Sequence, residues 1–193
     1  MGSLLYMLPL GSPWFQWDEN HNAQRTLGIL AQDSSNIVIV GDKGCGKTAL
    51  SFQAAVSMAT DNRRVMFIRP QVLSRLPLPV HGMPTPEARA LQLMKLWYPD
   101  HADELVIWCA NVHLHPVLPE AIIVDDFDFY IGHSKDHEHE AARLCAVLIR
   151  CSCFHSFQKW QVSCDSHSIK QTVFSSICSK SVQFFVCKSS QPL

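Results

Sequence analysis

The sequence predicts an α/β fold in which a parallel sheet carries a phosphate-binding loop. Three observations predict it. Ile37-Val38-Ile39-Val40 is a continuous β-branched run, typical of a strand buried on both faces of a parallel sheet. Gly41–Thr48 follows at once and fits G-x-x-x-x-G-K-[ST]. Ala121–Val124 is a second short apolar run, and it ends in two acids, Asp125 and Asp126.

The elements follow in order. After the loop, Ala49, Leu50, Phe52, Ala54, Ala55, Val56 and Met58 suit a buried helix that Asp61 and Asn62 end. Val65–Ile68 is the next strand, completing a β-loop-α-β unit. Pro70, Pro77, Pro79, Pro84 and Pro86 make residues 69–86 a loop, because neither a helix nor a central strand tolerates them. Glu87–Trp97 has helical spacing, and Tyr98-Pro99 stops it. Asp100 is a cap candidate for a helix over Ala102–Val112. Glu138–Arg150 reads as a further helix with Ala141, Leu144, Val147 and Leu148 inward.

Residues 1–35 read as an irregular extension in which Trp14, Phe15 and Trp17 are free to pack on the domain or on a partner. Residues 36–155 read as the core. Beyond it the pattern decays into a Ser/Cys-rich segment, 156–193, with strands suggested at Trp160–Cys164 and Val182–Val186. That texture is expected of an altered or truncated C-terminus.

Composition narrows the function. A net charge of −1 provides no global basic field to hold nucleic acid, so any such contact needs a local patch or a partner. Arg63, Arg64, Arg69 and Arg75 gather near the second strand, and a solvated surface is the expected reading for them. No apolar stretch approaches the length of a membrane span, and no basic n-region precedes the N-terminal apolar residues. The chain is expected to be intracellular and without a membrane partner. The eight cysteines include no C-x-x-C pair, and most are expected to be buried or free thiols. Cys151, Cys153, Cys164 and His167 fit no standard zinc finger. His137 and His139 are two apart and share no helical face, so with His133 they read as a solvated helix entry.

The loop carries the chemistry. A phosphate is wrapped by backbone N–H groups, so Cβ atoms are unwelcome where the chain comes close, and Gly41, Gly44 and Gly46 meet that need. Asp42, Lys43 and Cys45 complete the wrap. A helix starting near Lys47 aims its positive end at the phosphates. Lys47 supplies a point charge on the β/γ-phosphates, and Thr48 offers a hydroxyl to Mg²⁺. A parallel strand beside the loop's strand would bring Asp125 to the same Mg²⁺. Asp126 is the candidate to orient or polarise the attacking water. The expected ligand is ATP with Mg²⁺.

The segments GDKGCGKTALSFQAA, RRVMFIRPQVLSRLP, ARALQLMKLWYP, AIIVDDFDFYI and HEAARLCAVLIR together resemble the RecA-type recombinase paralogues. Among these, the likeness is to the ATPases that partner SWIM-type zinc-finger proteins. The resemblance spans residues 36–155. It implies a RecA-like P-loop NTPase core, a nuclear role in homologous recombination and single-stranded DNA binding. It also implies a heterodimer with a SWIM zinc-finger protein and contact with other recombinase paralogues.

Two departures stand out. Active recombinases carry a catalytic Glu shortly after the second strand, where this chain has Gln71. Gln orients water but cannot take its proton, so slow hydrolysis is expected unless Asp126 substitutes. The likeness also stops near residue 155, before the sensor and DNA-contacting loops. A second reading is therefore a non-hydrolysing scaffold ordered by ATP. A small-molecule kinase would need a lid rich in Arg, and no Arg follows Arg150.

Overall fold

The computed structural model describes residues 6–9, 12, 36–132, 136–154 and 181–187. The elements run β1 (Asn36–Gly41), α1 (Lys47–Thr60), β2 (Val65–Ile68), α2 (Ala88–Gln92), β3 (Met94–Trp97) and α3 (Ala102–Asn111). A 3₁₀ turn (Val112–Leu114), β4 (Ala121–Val124), α4 (Phe127–Ile131), α5 (His137–Phe154) and β5 (Ser181–Cys187) complete them.

The sheet order is β1-β5-β4-β2-β3. Strands β4, β2 and β3 pair in parallel, with Val65 opposite both Ala121 and Met94. β5 is antiparallel to both its neighbours, β1 and β4, so β1 and β4 point the same way. The sheet is therefore mixed, and the acid-tipped strand β4 does not lie beside β1 as expected. The 182–186 segment provides the strand that separates them.

Alternation along the strands builds a three-layer α/β/α sandwich. Val65, Phe67, Ala121 and Ile123 face a cluster with Phe52, Ala55, Val56 and Met58 of α1. Met66, Ile68, Ile122 and Val124 face the other cluster, with Leu105 of α3, Phe127 of α4, and Leu144 and Leu148 of α5. All residues of β2 and β4 are buried. β1, expected to be buried on both faces, ends the sheet among the described residues and is only half-buried, with Val40 37% exposed.

Two other expectations are corrected. Residues 87–97 do not form one helix: a five-residue helix ends at Gln92, and Met94–Trp97 pairs with β2. The backbone N–H groups of Val65 and Arg69 donate to the carbonyls of Leu93 and Trp97, so tertiary pairing takes residues whose spacing suits a helix. His101, not Asp100, occupies the N-cap of α3, and no side chain caps it there. The backbone N–H of Asp100 instead donates to Glu104 Oε1 at 3.3 Å.

The helix after the loop ends where expected, with Asp61 at its C-cap. Part of the N-terminal segment docks against it. Tyr6 and Met7 are buried, Tyr6 donates to Asp61 Oδ2 at 2.7 Å, and the Arg63 guanidinium lies 5.2 Å from the Tyr6 ring centroid. Trp14, Phe15, Trp17 and Trp160–Cys164 lie outside the described residues, as do His133, Cys164 and His167. Cys109, Cys145 and Cys151 are buried, Cys45 is exposed, and the Cys151 thiol donates to Cys109 O at 3.2 Å.

Candidate nucleotide site

The loop from Asp42 to Gly46 is exposed between β1 and α1. Gly44 and Gly46 have φ of 82° and 91°, in the left-handed region where an L side chain is strained. Nothing lies within 4 Å of where a Cβ would stand at either, so these glycines open a cradle rather than fill a packed corner. Gly46 is the N-cap of α1, with no side chain capping the helix and no acid in its first turn. The first N–H groups of a 14-residue helix thus adjoin the loop with no acidic side chain of the helix's own first turn beside them.

Lys47 is 7% exposed and folds back over the cradle. Its Nζ donates to the carbonyls of Gly41 at 3.0 Å and Asp42 at 2.7 Å, and it lies 3.6 Å from Cys45 Sγ. Thr48 sits one residue into the helix, and its hydroxyl donates to Asp125 Oδ1 at 3.0 Å. Asp125 is fully buried at the tip of β4, with its N–H held by Ile68 O at 2.8 Å. Burial, with Asp126 next to it, pushes the Asp125 carboxyl up to about 6, against the pull of Arg69 and the Thr48 hydroxyl.

Asp126 turns the chain into α4 with φ of 52°, a left-handed conformation that Asp tolerates better than most residues. Its side chain is partly exposed and paired with Arg69 Nη2 at 3.5 Å. Arg69 Nε lies 3.7 Å from Asp125 Oδ2. Arg69 was expected on a solvated surface, but its side chain is only 13% exposed. It immediately follows β2, whose parallel pairing with β4 sets it beside the two acids. Gln71 is exposed in the loop beyond, and no hydrogen bond or ion pair joins it to these groups.

The structure therefore brings Lys47, Thr48, Asp125 and Asp126 to one end of the sheet, and it adds Arg69. Sequence reasoning passed over Arg69 because an Arg beside a Pro-rich loop usually belongs to the surface. The available signal was its place one residue past a buried strand.

The donor set fits Mg²⁺ and a phosphate chain. A hydroxyl and a carboxylate converge as hard oxygen ligands, and glycine amides and an ammonium surround the space for anions. Among the described residues no group of three or more His, Cys, Asp or Glu forms a metal cage. His137 Nδ1 meets Ile131 O, at the end of α4, at 3.1 Å.

Over 116 residues the chain is 29% identical to human "ATPase SWSAP1" (Homo sapiens), a match covering 58% of this chain and 49% of that protein. The chain spans about half the length of this curated relative. No family model matches, and no solved structure matches. The α/β architecture and its three parallel strands are compatible with a P-loop NTPase core.

Proposed function

We propose that this chain is a RecA-like ATPase that binds ATP with Mg²⁺ and acts in homologous recombination. The observation that carries the nucleotide part is the meeting of Thr48 and Asp125 at 3.0 Å beside the Gly44–Gly46 cradle. When bound, Mg²⁺ would draw charge from the β- and γ-phosphates. Thr48 and Asp125 would hold it, the latter directly or through water. Lys47 would leave the loop carbonyls for the phosphates, and Asp126 would orient the attacking water. The resemblance to recombinase paralogues and the match to ATPase SWSAP1 support the wider reading. In it the chain works in the nucleus as a heterodimer with a SWIM-type zinc-finger protein, alongside other recombinase paralogues. Single-stranded DNA is bound by the complex, in keeping with a chain whose net charge is −1.

A second reading has its own support. Gln71 stands where active recombinases carry Glu, and it is exposed. On this reading ATP orders the loop of a non-hydrolysing scaffold. Steady-state phosphate release separates the two. Turnover abolished by Lys47→Ala supports the ATPase. No turnover above background, with nucleotide still bound, supports the scaffold. Co-expression with a SWIM zinc-finger protein followed by affinity capture tests the partner, and failure to co-purify removes the heterodimer.

A further inference from the structure

Asp125 divides its two oxygens between two elements. Oδ1 accepts from the Thr48 hydroxyl of α1, and Oδ2 faces the Arg69 guanidinium at the end of β2. Backbone hydrogen bonds fix both ends of this arrangement: Asp125 N to Ile68 O at 2.8 Å, and Arg69 N to Trp97 O at 3.1 Å. The guanidinium also spans to Asp126. One cation is thus shared by Asp125, which accepts from the Thr48 hydroxyl, and its neighbour Asp126.

The manner of sharing matters. Charge-assisted N–H···O⁻ bonds in a good Arg–carboxylate fork are about 2.7–2.9 Å long. Here the separations are 3.7 and 3.5 Å, and the buried Nε makes no hydrogen bond among the described residues. The guanidinium contributes charge without the directional bonds that would lock it. Such a cation gives way to a divalent ion at modest cost, yet it repels that ion as it approaches.

We propose that Arg69 is a positioning residue that competes with Mg²⁺ for the Asp125–Asp126 pair and so sets the Mg²⁺ concentration at which nucleotide binds. This rests on the nucleotide-site reading above and deepens it. Removing the guanidinium takes away the cation that Asp125 and Asp126 share, so Mg²⁺ binds more tightly. A side chain that merely braced the strand ends would have the opposite effect, since its loss would loosen Asp125 and weaken the metal.

The test is a Mg²⁺ titration of the full chain, read by binding of a fluorescent ATP analogue and by the Mg²⁺-induced rise in Tm without nucleotide. For Arg69→Gln the half-saturating Mg²⁺ is expected to fall by about threefold or more in both readouts. Arg69→Lys keeps the charge and is expected to stay near wild type. Arg69→Met, which keeps the stem, serves in the same way if Arg69→Gln does not fold. An unchanged or raised Mg²⁺ requirement in Arg69→Gln or Arg69→Met overturns the proposal. The Tm readout contains no nucleotide, so it judges Arg69 even if the wild type binds no ATP. That second result would count against the nucleotide reading instead.

Discussion

Thr48 and Asp125 are 77 residues apart in the chain, and their side chains meet at 3.0 Å. They come from elements on different sides of β5: α1 follows β1, and Asp125 tips β4. The strand between them does not keep them apart, because β1 and β4 point the same way and deliver both groups to one end of the sheet. From this relationship the expected behaviour of the site follows.

Lys47→Ala should leave the fold intact and remove nucleotide affinity. Among the described residues its ammonium donates to the Gly41 and Asp42 carbonyls and approaches the Cys45 thiol, contacts at the loop rather than in the hydrophobic core. Affinity for a fluorescent ATP analogue is expected to drop about tenfold or more, given the worth of a charge-assisted contact. Tm should stay within about 2 °C, as for a substitution with little effect on packing. A normal titration curve for this variant would contradict the role given to Lys47.

Asp125→Asn should abolish the Mg²⁺ dependence of binding and, at pH 7, stabilise the protein. The Asp125 carboxyl is raised from 3.8 to about 6 in the folded state, so folding favours its protonated form. The folded state then holds the extra proton between these two values. Stability from this group grows as pH falls through about 6 and is lost as pH rises through it. Wild type should therefore lose Tm between pH 5 and pH 7.5 relative to Asp125→Asn. The gap is about 1–3 kcal/mol, from the size of the shift less whatever the lost Arg69 pairing offsets. Parallel pH profiles for the two proteins would show that Asp125 is not the titrating group.

Gly46→Ala should separate binding from folding. Space for a methyl group exists, but a φ of 91° strains any L residue. The expected stability cost is about 1–2 kcal/mol by chemical denaturation. The methyl would also project into the cradle, so nucleotide binding should be lost well beyond that cost. Retained affinity would show that phosphates do not approach Gly46.

Cys45 should report on occupancy. It is exposed on the loop beside Lys47, whereas Cys109, Cys145 and Cys151 are buried, and burial pushes the Cys145 thiol up to about 12. Iodoacetamide should modify Cys45 in the native protein, as mapped by mass spectrometry, and leave these three intact until unfolding. Mg²⁺ with ATP should slow that modification several-fold. Equal rates with and without nucleotide would mean the loop stays open to solvent when ATP is added.

Much of this site was legible in the residues alone. The loop's glycines, Lys47 and Thr48 lie within eight consecutive positions, and local geometry dictates what such a run can hold. The helix after it and strands β2 and β4 were equally readable, since runs such as Ile122-Ile123-Val124 suit burial on two faces. The helix expected over 87–97 failed because Met94–Trp97 is taken up by pairing with β2, a contact between residues 29 apart that no local period encodes. Arg69 escaped for the same reason, because its partners are side chains on another strand.

Sequence alone determined the glycine-rich loop between strand and helix, the α/β class and the acids at the tip of β4, because each depends on neighbours along the chain. Tertiary structure decided the strand order, the antiparallel place of β5, and the union of Thr48, Asp125, Asp126 and Arg69. Those depend on which strands pair, and pairing is settled by burial over the whole sheet rather than by any one segment.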